Sequence, residues 1–124
     1  MSNCKICDIH KELYRGDHEF NSWIIREAEK DKNCPGYYYV ESKFHKESYG
    51  EFSIFDWEEL GRAIHQITQK ILTEYKPLKI YTISISEAVP HLHFHIVPRY
   101  KENSKGIEYL EKALGGKLPK DFPF

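Results

Sequence analysis

Apolar residues recur along this chain with two periods, and the changes from one to the other mark out its elements. Between residues 57 and 75 they fall at Trp57, Leu60, Ile64, Ile67, Ile71 and Tyr75, a three-and-four spacing that predicts one long helix with a buried stripe. Asp56 stands before it as the N-cap with Glu59 placed to reach back, and Lys76-Pro77 ends it because proline cannot continue the hydrogen-bond ladder. Residues 21–27 form a short apolar run between polar flanks, and residues 36–41, after Pro35, have strong strand propensity. Residues 78–86 alternate Tyr81, Ile83 and Ile85 against Thr82, Ser84 and Ser86, and residues 91–97 alternate again after Val89-Pro90. These last two predict neighbouring antiparallel strands, since their connection is too short for a parallel crossover. A final amphipathic piece, residues 107–114, predicts a short helix ending at Gly115-Gly116. The tail, residues 117–124, carries two prolines and two phenylalanines for which a partner or the chain's own core is the expected cover.

Composition narrows the functional classes. A chain of 124 residues is expected to form one domain over residues 1–124. The formal net charge of −1 supplies no global basic field for a nucleic acid polymer, so any bound anion must be held by local groups. The first residues lack the apolar stretch of a secretory signal and no window is long enough to span a membrane, so a soluble, cytoplasmic protein is expected. Three cysteines, two of them three positions apart, do not make a disulfide framework.

The chemistry concentrates in His91-Leu92-His93-Phe94-His95-Ile96-Val97. On a strand, Leu92, Phe94 and Ile96 share one face and the three histidines the other. At about 6.6 Å between neighbours and about 13 Å between the outer two, no single metal ion can take all three. A solvated histidine-rich face is the bland alternative, which repetition at period two argues against. A neutral histidine whose one ring nitrogen is held by a backbone acceptor can attack phosphorus with the other.

At these residues the sequence resembles the histidine triad (HIT) family, marked by His-x-His-x-His and often continued as in Pro98-Arg99. Pro35 to Val40, followed by Lys43-Phe44-His45, is similar to the family's earlier strand and basic turn, and Cys4-Lys5-Ile6-Cys7 to the Cys-x-x-Cys of a zinc-binding subset. The resemblance implies an α+β, HIT-like fold with a five-stranded antiparallel sheet, one long central helix and a short C-terminal helix, usually as a homodimer. It further implies a nucleotide substrate and hydrolysis or transfer at an α-phosphorus, with His93 as nucleophile and His95 on the phosphoryl oxygens. Arg99 is a weaker candidate for the same oxygens.

Where the family often has histidine after Pro-Gly, and glutamine and serine or threonine before the triad, this chain has Tyr37, Glu87 and Ala88. Tyr37 and Glu87 are therefore candidate substrate-binding residues of altered character, while Ala88 cannot donate to a leaving group. The residue that binds ribose is left unassigned. Cys4 and Cys7 have the spacing of two thiolates on one tetrahedral zinc, which needs two further ligands; the resemblance implies His45 and His91, and a structural role. A frayed terminus or a redox pair is the alternative for the cysteines. Cys34, His10, His18 and His65 are expected to be structural or on the surface. Two other functions stay open: a nucleotide-binding module with little catalysis, and a zinc-dependent metallohydrolase in which His91 and His93 share a catalytic ion.

Overall fold

The computed structural model describes residues 4–13, 20–116 and 118. The polypeptide runs α1 (Lys5–Leu13), β1 (Trp23–Glu27), β2 (Tyr38–Ser42), α2 (Ile54–Glu74), β3 (Lys79–Ile83), β4 (His93–Arg99) and α3 (Gly106–Leu114), with single 3₁₀ turns at Lys30–Lys32 and Tyr49–Glu51. The strands form one antiparallel sheet in the order β1-β2-β4-β3. The α+β class is as expected, but the described residues hold four strands rather than five. Residues 14–19, most of residues 117–124, and with them His18 and the terminal phenylalanines, lie outside the described residues.

The sheet divides the interior into two cores. On one side Trp23, Val40, Leu92 and Ile96 pack against Leu60, Ala63, Ile67 and Ile71 of α2, the predicted stripe. On the other, Tyr37, Tyr39 and Val97 pack against Tyr109, Leu110 and Ala113 of α3. Helix α2 begins earlier than its apolar period: Ser53, not Asp56, is the N-cap, and Asp56 is the third helical residue of a reciprocal capping box with it. Ile54 and Phe55, in that first turn, are exposed and so add nothing to the buried stripe. Glu59, expected to reach back to a cap, instead accepts the backbone N–H groups of Asn21 and Ser22 and fastens α2 to the start of β1.

Helix α1 is the element the hydrophobic pattern did not announce. Among its described side chains Ile6 and His10, one turn apart, are the buried ones, and with a polar residue in that pair the stripe is too short to read as a period. Strand β3 stops at Ile83, short of the predicted Ser86, because Ser86 takes a left-handed backbone (φ 55°). Gly36 (φ 84°) closes the turn into β2; a Cβ there would lie 2.9 Å from the Tyr100 hydroxyl and 3.1 Å from the Tyr75 ring. That turn sets the register in which Tyr39 faces His95 and Glu41 faces His93.

Candidate active site and metal cluster

Period-two alternation places His93 and His95 on the α3 side of the sheet, beside Tyr39 and Glu41 of β2 and Arg26 of β1. Their rings lie 5.0 Å apart, centroid to centroid. Nδ1 of His93 is 2.6 Å from the His91 carbonyl oxygen, an acceptor only, so it carries the ring proton and leaves Nε2 with a lone pair. His95 is neutral: burial first, and then the neighbouring His93, lower its pKa to about 4. The Tyr37 hydroxyl, which burial keeps protonated, lies 2.7 Å from His95 Nδ1, its one hydrogen-bond partner among the described residues. Tyr37 is therefore the donor, and His95 carries its own proton on Nε2. One imidazole thus offers a lone pair and the next offers a donor.

Both line a cavity of about 520 Å³. Its walls come from α1 (Lys5, Ile6, Ile9), the β1 side (Arg26, Glu29, Lys32), the β3–β4 connection (Ile85 to Val89) and the end of α3. Glu87 lies on this wall. Tyr37 does not: it is 1% exposed and can act there only through His95, because its hydroxyl is spent on that ring. Arg99 is also absent from the cavity wall, and its guanidinium donates to the backbone carbonyls of Lys101 and Glu102.

The cavity floor holds charges that the sequence reading did not assign. Glu41, 1% exposed, accepts two bonds from Arg26, at 3.0 and 2.7 Å, and one from His10 Nε2 at 2.8 Å. Burial opposes its ionisation, but the bonds from His10 and Arg26 outweigh that and bring its pKa from 4.5 to about 2. Arg26 also reaches Glu29, whose carboxylate accepts the Tyr39 hydroxyl at 2.7 Å. A folded-state pKa below the unfolded one means stability that is complete above about pH 4.5 and lost as pH falls toward 2. Glu41→Gln is accordingly expected to cost about 3 kcal/mol at neutral pH, by stranding Arg26 and His10. In thermal melts across pH, its deficit relative to wild type should shrink below pH 4.5; a deficit constant with pH would contradict this account.

His91 departs from its two neighbours. It precedes β4, is fully buried, and lies in a cluster with Cys4, Cys7 and His45 whose ligand atoms are all within 4.8 Å of one another. Cys4 Sγ is 3.3 Å from His91 Nδ1, and Cys7 Sγ is 3.4 Å from His45 Nδ1 and 3.5 Å from His91 Nδ1. Two ligands about 2.3 and 2.1 Å from one tetrahedral ion would lie roughly 3.6 Å apart, so the set fits a metal. The outer nitrogens fit as well: His91 Nε2 is 2.6 Å from the Ser42 carbonyl and His45 Nε2 is 3.0 Å from the Glu47 carboxylate, which leaves both Nδ1 atoms for the ion. The first turn of α1 brings the two sulfurs together, and the Cys7 N–H donates to Cys4 Sγ. Burial works against ionising the Cys4 thiol, yet the bonds from Cys7 and His45 win and hold its pKa below the usual value. His93 is outside this cluster.

Solved structures share this architecture. A HIT family protein from Bacillus subtilis superposes with a TM-score of 0.68 at 21% identity, over 95% of this chain and 99% of that one. The fold is that of HIT family proteins. A second, from Bacillus anthracis, gives 0.66 at 19% identity over 91% and 93% of the two chains. A diadenosine triphosphate hydrolase from Plasmodium falciparum, solved with Cyclomarin A, gives 0.53 at 17% identity over 89% and 92%. No protein-family model and no curated protein is a significant match to the sequence. The HIT fold thus carries the expected strand of histidines here, while the charged set of Arg26, Glu29, Glu41 and His10 was not foreseen. The one signal for them was Glu41, a charge on the inward side of Tyr37-x-Tyr39-x-Glu41.

Proposed function

We propose that this protein is a nucleotide hydrolase or transferase of the HIT kind, acting at the α-phosphorus with His93 as the nucleophile. The observation that carries this reading is the His93 tautomer: a proton fixed on Nδ1 by the His91 carbonyl and a free Nε2 beside the cavity. Nε2 attacks the phosphorus, the bond from phosphorus to the leaving group breaks, and the departing oxygen or nitrogen takes a proton from solvent. Water then attacks the same phosphorus, the P–N bond breaks, and a nucleoside monophosphate is released with one proton. His95, donating from Nε2, stabilises the charge on the non-bridging oxygens, and Tyr37 holds it in that tautomer. The Glu29 carboxylate, fixed by Arg26 and Tyr39 on the cavity wall, accepts the ribose hydroxyls. Cys4, Cys7, His45 and His91 would hold a zinc ion, which would supply structural cross-linking there.

Glu87 and Ala88 favour one second reading, a binding module with little turnover, since the first repels phosphate and the second donates nothing. A panel of dinucleoside polyphosphates and nucleoside phosphoramidates, incubated with purified protein in ¹⁸O-water, separates the two. Nucleoside monophosphate carrying one ¹⁸O is the expected product. Saturable binding without product from any substrate would establish the module instead.

A further inference from the structure

Strand β3 pairs with β4 as far as Ile83 opposite His95, and the next hydrogen-bonded pair would set residue 85 opposite His93. The chain turns away before that pair forms. Two serine side chains take its place: Ser84 Oγ donates to the His93 carbonyl at 2.7 Å, and the His93 N–H donates to Ser86 Oγ at 3.1 Å. Ser86 Oγ also lies 3.3 Å from that carbonyl and 3.1 Å from Ser84 Oγ, so its own proton has an acceptor in either direction. Ser86 reaches this position from a left-handed backbone, φ 55°, which strains a residue with a Cβ and which glycine adopts freely. It also lines the cavity. A strained turn whose side chain closes on one backbone unit is over-determined for some purpose, and the unit here belongs to the residue with the free Nε2.

The geometry points to Ser86, with Ser84, as a positioning residue: the hydroxyl pair clamps the His93 backbone on its open edge and so fixes where Nε2 stands. The inference rests on His93 being the nucleophile. The His91 carbonyl sets the rotation of the ring, the serine pair sets the backbone from which the ring projects, and an in-line attack needs both. Since both hydroxyls are engaged with the His93 backbone unit, their loss should slow the chemical step more than it weakens substrate binding.

Ser86→Gly is the informative variant, because it keeps the turn and removes the hydroxyl. We expect kcat to fall about tenfold to a hundredfold, KM to stay within about threefold and Tm within about 5 °C. Hydrogen exchange at the His93 amide, followed without substrate, should speed up at least about tenfold. Ser84→Ala should lower kcat about tenfold and Ser84→Thr, which keeps the hydroxyl, should retain it. A Ser86→Gly protein with wild-type kcat and an unaltered His93 amide would overturn the clamp, as would equal kcat in Ser84→Ala and Ser84→Thr. Failure of the underlying reading looks different: His93→Ala would then remain active, while the exchange measurement would still report on the clamp.

Discussion

His93→Ala is expected to lower turnover at least about 10⁴-fold while leaving nucleoside monophosphate binding within about tenfold. The asymmetry follows from what the ring contributes. Its Nε2 makes a bond in the transition state that no ground-state contact replaces, whereas the cavity walls from α1, β1 and α3 remain in place. Metal content and Tm should hardly change, because His93 is outside the cysteine-histidine cluster and only partly buried. His93→Asn is the stricter variant. Its amide can still donate to the His91 carbonyl, so it tests the lost nucleophile rather than a collapsed strand. More than about a hundredth of wild-type turnover in both variants would remove the assignment, and a metal-free His93→Ala protein would revive the metallohydrolase, in which His91 and His93 share an ion.

The reach of sequence reasoning here follows the physics of each element. The α2 stripe and the alternations of β3 and β4 were legible because burial on one face writes a period into the chain. The two histidines of β4 were legible on the same ground, whereas period two alone groups His91 with them; it was the resemblance to the zinc-binding subset that assigned His91 to the metal set, and its approach to Cys4 ahead of the strand agrees with that. The Cys-x-x-Cys spacing announced that cluster, since one helical turn is what brings two thiols onto one ion. By contrast, Arg26, Glu41 and His10 come from three separate elements, and no local spacing relates them. The exchange of backbone pairing for serine hydroxyls at His93 was invisible for a related reason. Ser84 and Ser86 satisfy the alternation of a longer β3 perfectly well, and the left-handed turn at Ser86 carries none of the usual glycine or asparagine marks.

Loss of the metal should be felt first in stability. The purified protein is expected to carry about one zinc per chain, and Cys7→Ser to abolish it and lower Tm by about 10 °C or more, since all four ligands are protein groups and binding energy becomes folding energy. The four ligands come from the start of α1, the turn after β2 and the segment just ahead of β4, so an ion held there would cross-link the amino-terminal helix to the ends of both β2 and β4. Its removal frees the first turn of α1, and α1 supplies Lys5, Ile6 and Ile9 to the cavity wall while His10 holds Glu41. In the folded fraction of Cys7→Ser, KM should therefore rise. The kcat should remain within about tenfold, because the His93 tautomer depends on the His91 carbonyl and not on its ring. A metallohydrolase gives the opposite pattern: chelation would abolish kcat, and Cys7→Ser would alter neither metal nor rate. Elemental analysis, melting and steady-state kinetics on Cys7→Ser decide the matter, and protein prepared without chelator that contained no zinc would end the structural-metal proposal. A kcat lost in step with zinc, at unchanged Tm, would place the ion in the chemistry and take the nucleophile's role away from His93.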